Sequence, residues 1–324
     1  MRVLFWGTPE FAAPSLRALI GEGFEVIAVV TRTDKPQGRA REMKPSPVKV
    51  IAMEERIPVL QPATPKDAEF VQMMLGMQPD ISVVVAYGHI LPGKIIDLPR
   101  LGTLNIHASL LPALRGAAPI QAAIRQGHNE TGVTIMRMVP ALDAGPMILK
   151  APVPILHDET YGELQLRLSE LGALTLIEAL ALISLGAGSE RPQDDSLATH
   201  APKVTREDAR IDWSLPAVEV ARIVRAFDPR PGAFTTKSGT DIKMFGIRRD
   251  TEDDARRGAD VEQALTTSGT PAPGEVISVA DGIVVACRDG AVRISEVQPS
   301  GKSRMTSANW VRGRGIARGD IFGS

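Results

Sequence analysis

The chain has almost no cysteine, few aromatics, no net charge of consequence and no long apolar run, and each shortage removes a class of protein. Its 324 residues hold one cysteine, Cys287. Intrachain disulfides and thiolate zinc sites are therefore excluded, and a reducing compartment is expected. Three Trp, two Tyr and eight Phe argue against rows of aromatic platforms as the main binding device. With 37 Lys and Arg against 38 Asp and Glu, a net of −1, no global field attracts nucleic acid. The N-terminus, MRVLFWGTPEF, meets Gly, Thr, Pro and Glu too early for a signal peptide. The longest apolar stretch, near residues 171–187, is punctuated by Gly172, Thr175 and Glu178 and reads as a core helix, not a membrane span. A soluble cytoplasmic protein is expected. No long exposed apolar stripe calls for a partner, which points to a monomer.

What is present is an ordinary globular mixture, 44% hydrophobic and 23% charged, at a length of about two domains. The first half alternates β-branched runs with helical patterns, the signature of an α/β, doubly wound, Rossmann-like parallel sheet. Strands are expected at Arg2–Trp6, Glu25–Thr31, Ile81–Ala86, Gly102–His107 and Val133–Met138. Helices are expected at Glu10–Ile20, Ser46–Glu55, Pro65–Gly76 and Ala117–Arg125. Residues 186–205 lack a hydrophobic period and read as a linker between a domain over 1–185 and another over 206–324. The second domain has one helix (Ala217–Phe227) and short strands spaced as in a small β-barrel. The polar stretch Arg248–Pro273 reads as a mobile loop between strands. Charge is local: Arg32–Lys49 has six bases against two acids, and Val297–Ser324 five against one. Either cluster fits a solvated face, and together they permit a divided polyanion footprint.

Ligands of such sheets bind beyond the carboxyl ends of the strands. The first turn there, GTPEF, places Pro9 and Glu10 where a dinucleotide pyrophosphate needs glycines, which disfavours a nicotinamide enzyme. Gly7, Thr8 and Pro9 still offer a helix N-terminus to a polar or anionic substrate group. No Walker, HExxH or GxSxG motif is present. The richest segment, LNIHASLLPALRGAAP, leaves a strand through Asn105 and His107, two residues apart and therefore on one face. An amide beside an imidazole suits acyl-type transfer, one stabilising an oxyanion and the other moving a proton. Alone, the pair fits a structural role at least as well, both groups capping the next turn. Asp143, in LDAGP, is a third polar group read at the same edge, where it can orient His107 or simply form an Asx turn.

The N-x-H, SLLP, RG-A-P and LDAGP blocks resemble those of the formyltransferases that use 10-formyltetrahydrofolate. Three further blocks, GTPEFA, DKPQGR…KPSPVK and KVTREDARIDWS…IVRAFDPRPGAFT, are similar to those of the branch acting on initiator methionyl-tRNA. The resemblance implies a formyltransferase domain followed by an OB-fold-like barrel that supports the tRNA. It implies Asn105, His107 and Asp143 as the catalytic group. It also implies a folate pocket walled by Tyr87, Gly88, His89, Ile90 and Leu91, by Ser109, Leu110, Leu111 and Pro112, and by Val139, Pro140, Ala141 and Leu142. The formyl donor is a co-substrate, and no metal is required. For the tRNA and its methionyl end the resemblance implies Gly7, Thr8, Pro9, Arg39, Arg41 and Lys44, with Lys302 and Arg304 from the basic tail. Two rival functions stand beside this one: a formyltransferase acting on an amino sugar nucleotide, which would share Asn105, His107 and Asp143 but have no use for the basic insertion or tail, and a non-catalytic folate- and RNA-binding module, against which the intact trio counts.

Overall fold

The computed structural model describes residues 1–37, 42–249 and 271–323. Arg39, Arg41 and residues 250–270 of the expected loop lie outside them. The chain forms two compact units. The first comprises Met1–Pro119, Glu130–Pro154 and Gln165–Pro202; the second comprises Ile120–Asn129, Ile155–Leu164 and Lys203–Ser324.

The strands of the first unit are β1 (Arg2–Gly7), β2 (Glu25–Val30), β3 (Lys35–Gln37), β4 (Glu42–Lys44), β5 (Val59–Leu60), β6 (Ile81–Val85), β7 (Thr103–His107), β8 (Glu130–Arg137) and β9 (Met147–Pro154). Seven of them form one sheet in the order β5-β2-β1-β6-β7-β8-β9, while β3 and β4 pair as a separate hairpin. From β5 to β7 the pairing is parallel. All five residues of β6, ISVVV, are buried, as expected of a strand covered on both faces. Its helices are α1 (Ala13–Gly21), α2 (Pro47–Glu54), α3 (Ala68–Met77) and α4 (Gly93–Ile96); α5 (Pro119–Gln126) falls in the second unit after its first residue, and α6 (Tyr161–Ser184) belongs to the first from Gln165 on. Ser46 starts α2 by accepting the Lys49 N–H at 3.1 Å, and Asp67 starts α3 by accepting the Phe70 N–H at 2.9 Å. Among the described residues no helix is long and apolar enough to cross a membrane.

One edge departs from the expected parallel arrangement. β8 runs antiparallel to β7, pairing His107 with Thr134 and Leu104 with Arg137, and β9 runs antiparallel to β8. The carboxyl end of β8 thus lies beside the amino end of β7, not at the carboxyl edge that the spacing implies for Asp143. Hydrophobic alternation is the same in both directions, so it carries no sign of strand polarity. The chain recovers the distance by folding back. Met138 donates its N–H to Thr103 O at 2.8 Å, and Arg137 donates to Pro146 O at 2.9 Å. Residues 138–146 become a closed loop carrying Asp143.

Residues 186–202, the first part of the stretch read as a linker, are bonded into this unit. Arg191 and Met147 exchange backbone hydrogen bonds of 2.8 and 2.9 Å, and Ala201 donates to Arg115 O at 2.8 Å.

The second unit contains α7 (Ala217–Phe227), β10 (Ala233–Lys237), β11 (Thr240–Arg249), β12 (Val276–Ser278), β13 (Ile283–Cys287), β14 (Gly290–Pro299), β15 (Met305–Thr306) and α8 (Ser307–Arg312). Its sheet runs β10-β11-β14-β13-β12, with β15 added to β14, and is antiparallel throughout. The C-terminal segment bonds to both ends of that path: Val276 donates to Asp320 O, Phe322 to Gly274 O and Gly323 to Thr236 O, at 2.8, 2.9 and 2.8 Å. Phe322 stacks on Trp213 and on Trp310, with ring centroids 5.8 and 6.4 Å apart. Both indoles are buried and hold the domain together; neither is presented to a nucleotide.

Candidate active site

β7 delivers two of the three catalytic candidates, because alternate side chains of a strand share a face. His107 is buried, and its Nε2 lies 3.0 Å from Leu114 O. A carbonyl only accepts, so Nε2 carries a proton and Nδ1 is the nitrogen left for chemistry. Nδ1 faces Asp143, with Oδ2 at 3.7 Å. That is beyond hydrogen-bond reach but close enough for one small group to touch both. The same Oδ2 accepts the Gly116 N–H at 2.8 Å, which fixes the carboxylate. Asn105 is half-buried, and its side-chain amide makes no hydrogen bond among the described residues.

A cleft of about 180 Å³ opens onto Asn105 and Asp143; His107 is not among its lining residues and meets it through Asp143, 3.7 Å from Nδ1. It is lined by Ala86–Leu91 and Met138–Leu142, with Val84, Ile96 and Met136. Ile90 and Leu142, 77% and 65% exposed, lie at its rim. An apolar slot ending on an unpaired amide and a carboxylate fits a flat heteroaromatic ring bearing a reactive carbonyl. Burial, then the cations of Arg32 and Lys35, push the His89 imidazole below its ordinary value, which favours an uncharged wall. The Tyr87 hydroxyl, raised to about 12 mainly by burial, has no hydrogen-bond partner among the described residues, and its ring packs edge-on against Trp6 at 5.3 Å.

Non-glycine residues in the left-handed region cluster here: Ala86 (φ 47°), Leu114 (φ 61°) and Asp143 (φ 49°). Such conformations cost roughly 1–3 kcal/mol each and persist only where the surroundings hold them. Gly116, at φ 120°, has a second constraint, since a Cβ there would stand 2.6 Å from Ala201 O.

The structure gathers Tyr87–Leu91 and Val139–Leu142 around the cleft as the sequence implies, but it places Ser109–Pro112 outside the lining. Those residues are committed to the turn. Ser109 Oγ donates to Ala113 O at 2.6 Å, and Thr134 Oγ1 donates to Ser109 O at 2.7 Å. The Leu111 N–H meets Thr134 Oγ1 at 3.1 Å, and Leu111 O accepts from Lys150. Gly7–Pro9 begin the turn after β1; Thr8 Oγ1 donates to Tyr87 O at 3.2 Å and accepts the Arg32 N–H at 3.3 Å. Lys44 is exposed on β4. Lys49, counted among the bases of the insertion, is instead bound to Asp34 at 2.6 Å and Gln61 at 2.8 Å. Lys302 is exposed. Arg304 is not a free cation: it pairs with Asp228 at 3.2 Å and with Glu296, and lies 4.1 Å over the Phe245 ring. Sequence reasoning missed Gln193 and Thr199, which bond to this site from the presumed linker and belong to no motif. Among the described residues no group of three or more His, Cys, Asp or Glu is placed to hold a metal ion.

Comparison with known proteins agrees with this architecture. The family model "Formyl transferase" matches residues 1–180, and "Formyl transferase, C-terminal domain" matches residues 203–315. A methionyl-tRNA formyltransferase of Pseudomonas fluorescens is 47% identical over 305 residues, 94% of this chain and 91% of the relative. One from Methylococcus capsulatus is 45% identical over 317 residues, 98% of each. Among solved structures, HypX of Aquifex aeolicus in complex with tetrahydrofolic acid shares the fold at a TM-score of 0.63 and 20% identity, over 96% of this chain and 47% of that one. WlaRD, a sugar 3N-formyl transferase, does so at 0.65 and 15%, over 94% and 99%. Both halves of the chain, and nearly all of its length, belong to the formyl transferase family.

Proposed function

We propose that this enzyme transfers the formyl group of 10-formyltetrahydrofolate to the α-amino group of initiator methionyl-tRNA, in the cytoplasm and as a monomer. One observation carries the reading: relatives of that name match at 42–47% identity over at least 94% of the chain. The likeness therefore includes the second domain and the basic insertion. An amino sugar nucleotide as acceptor is supported only by fold-level neighbours near 15% identity.

The folate supplies an activated formyl group, and the cleft walls with the unpaired Asn105 amide suit its ring and carbonyl. A free α-amino group titrates near pH 8, and esterification of its carboxylate lowers that value, so much of the amine is neutral at cellular pH. The amine forms a C–N bond to the formyl carbon, and the carbonyl oxygen takes the negative charge. Asn105 donates to that oxygen, as does Nδ1 of a protonated His107. Asp143 stabilises the imidazolium and holds it in place. As the bond to folate N10 breaks, Nδ1 gives its proton to N10 and takes the proton lost by the amine in exchange, which restores the imidazolium beside Asp143, 3.7 Å away. Arg39, Arg41, Lys44 and Lys302 supply phosphate contacts that bring the acceptor end to this centre.

The test is to incubate the protein with 10-formyltetrahydrofolate and either methionyl-tRNA or an amino sugar nucleotide, and to weigh the products. Only the methionyl-tRNA is expected to gain a formyl group. Formylation of the sugar alone would overturn the proposed acceptor, and formylation of neither would support a non-catalytic module.

A further inference from the structure

The motif arginine of RG-A-P has no part in the chemistry above, yet its side chain is only 8% exposed. Arg115 directs Nε and Nη2 at the side-chain oxygen of Gln193, at 3.0 and 2.8 Å, and Nη2 also meets Asp195 at 2.7 Å. Because arginine only donates, Gln193 must offer Oε1 to it and turn Nε2 the other way. Nε2 then donates to two backbone carbonyls, Asp143 O and Gly145 O, both at 2.8 Å. One amide thus spans a buried guanidinium and the backbone of the loop that holds Asp143 in its left-handed conformation. The same segment reaches the other side of the imidazole. Thr199 accepts the Leu114 N–H on Oγ1 at 2.9 Å and the Arg115 N–H on its carbonyl at 2.8 Å, and Leu114 O is the partner of His107 Nε2.

We propose that Gln193 is a positioning residue, with Arg115 behind it, which holds Asp143 at the Nδ1 side of His107. The proposal rests on the reading of Asp143 and His107 as the reacting pair. It makes the chain between the two family domains part of the active site. The requirement is for an amide: one face must accept from arginine while the other donates to carbonyls. A glutamate keeps the first and loses the second, presenting lone pairs to Asp143 O and Gly145 O.

The experiment compares Gln193→Ala and Gln193→Glu with wild type in formyl transfer to methionyl-tRNA, each also combined with Asp143→Ala. Misplacing a catalytic group by about 1 Å costs on the order of a hundredfold. Both single variants are therefore expected to lose about that much kcat while KM for either substrate stays within about twofold. In the Asp143→Ala background, Gln193→Ala is expected to add nothing, because groups acting through one another are not additive. Wild-type kcat in Gln193→Glu, or fully additive losses, would overturn the proposal. A wild-type protein that formylates no methionyl-tRNA would sink the functional reading alone. The His107 ring signals in a ¹⁵N–¹H spectrum then decide: the proposal requires that they move in Gln193→Ala, and unchanged signals would contradict it.

Discussion

Replacing Asn105 by alanine separates chemistry from folding with unusual clarity. The residue is half-buried on β7, and its amide has no hydrogen-bond partner among the described residues. Truncation consequently orphans no buried donor or acceptor and enlarges a cleft that is already open to solvent. Its cost in stability should fall within about 1 kcal/mol, like that of other sites free of buried partners. Removing one donor to an oxyanion costs about 3–4 kcal/mol, a hundred- to thousandfold in kcat. Because the bond strengthens only as charge develops, kcat and kcat/KM should fall together. Thermal unfolding and steady-state formylation of methionyl-tRNA, measured on one preparation, give both quantities. A kcat within about threefold of wild type would remove Asn105 from the oxyanion site. A large loss of Tm would show that its part is structural.

Other expectations follow from particular contacts. Lys237, first, and the Ala317 N–H hold the Asp320 carboxyl below its ordinary value against opposing burial. A depressed carboxyl stabilises the fold above its unfolded value, near pH 4, and the contribution disappears as pH falls through the folded value. Asp320→Asn should therefore lower Tm at pH 7, with the gap closing in acid as pH falls below the ordinary carboxylate range; a gap that persists in acid would refute the pairing. Burial, then Asp289, raises the Cys287 thiol to about 12, so alkylation at pH 8 should require unfolding, as mass spectrometry of native and denatured protein would show. Arg304→Ala should depress Tm while leaving the salt dependence of tRNA affinity unchanged, because that guanidinium serves Asp228, Glu296 and Phe245.

Much of the fold is legible because hydrophobic spacing reports it. AVEVARIVRAF has one apolar stripe and forms α7 at the expected bounds, and the buried β-branched run IVVAC forms β13, one of the short strands expected there. Strand direction leaves no such trace, so the antiparallel edge and the fold-back of 138–146 were hidden. β9, MILKAPVP, is half-exposed and carries two prolines, a composition closer to that of a loop. Asn105, His107 and Asp143 stood out because amide, imidazole and carboxylate are chemically distinctive beside strand ends. Gln193 and Thr199 did not, since they act through hydrogen bonds to backbone, which no spacing rule records. The partners of Arg304 were hidden for a related reason: charge read along a chain does not reveal which cations are already paired.

Formyl transfer turns on proton handling by His107 under the control of Asp143. Single-turnover formyl transfer with His107→Ala and Asp143→Ala, each saturated with 10-formyltetrahydrofolate and methionyl-tRNA, measures this step directly when folate affinity is determined alongside. The chemical step should collapse in both variants while folate binding is largely retained. A transfer rate close to that of wild type in either one would contradict the mechanism.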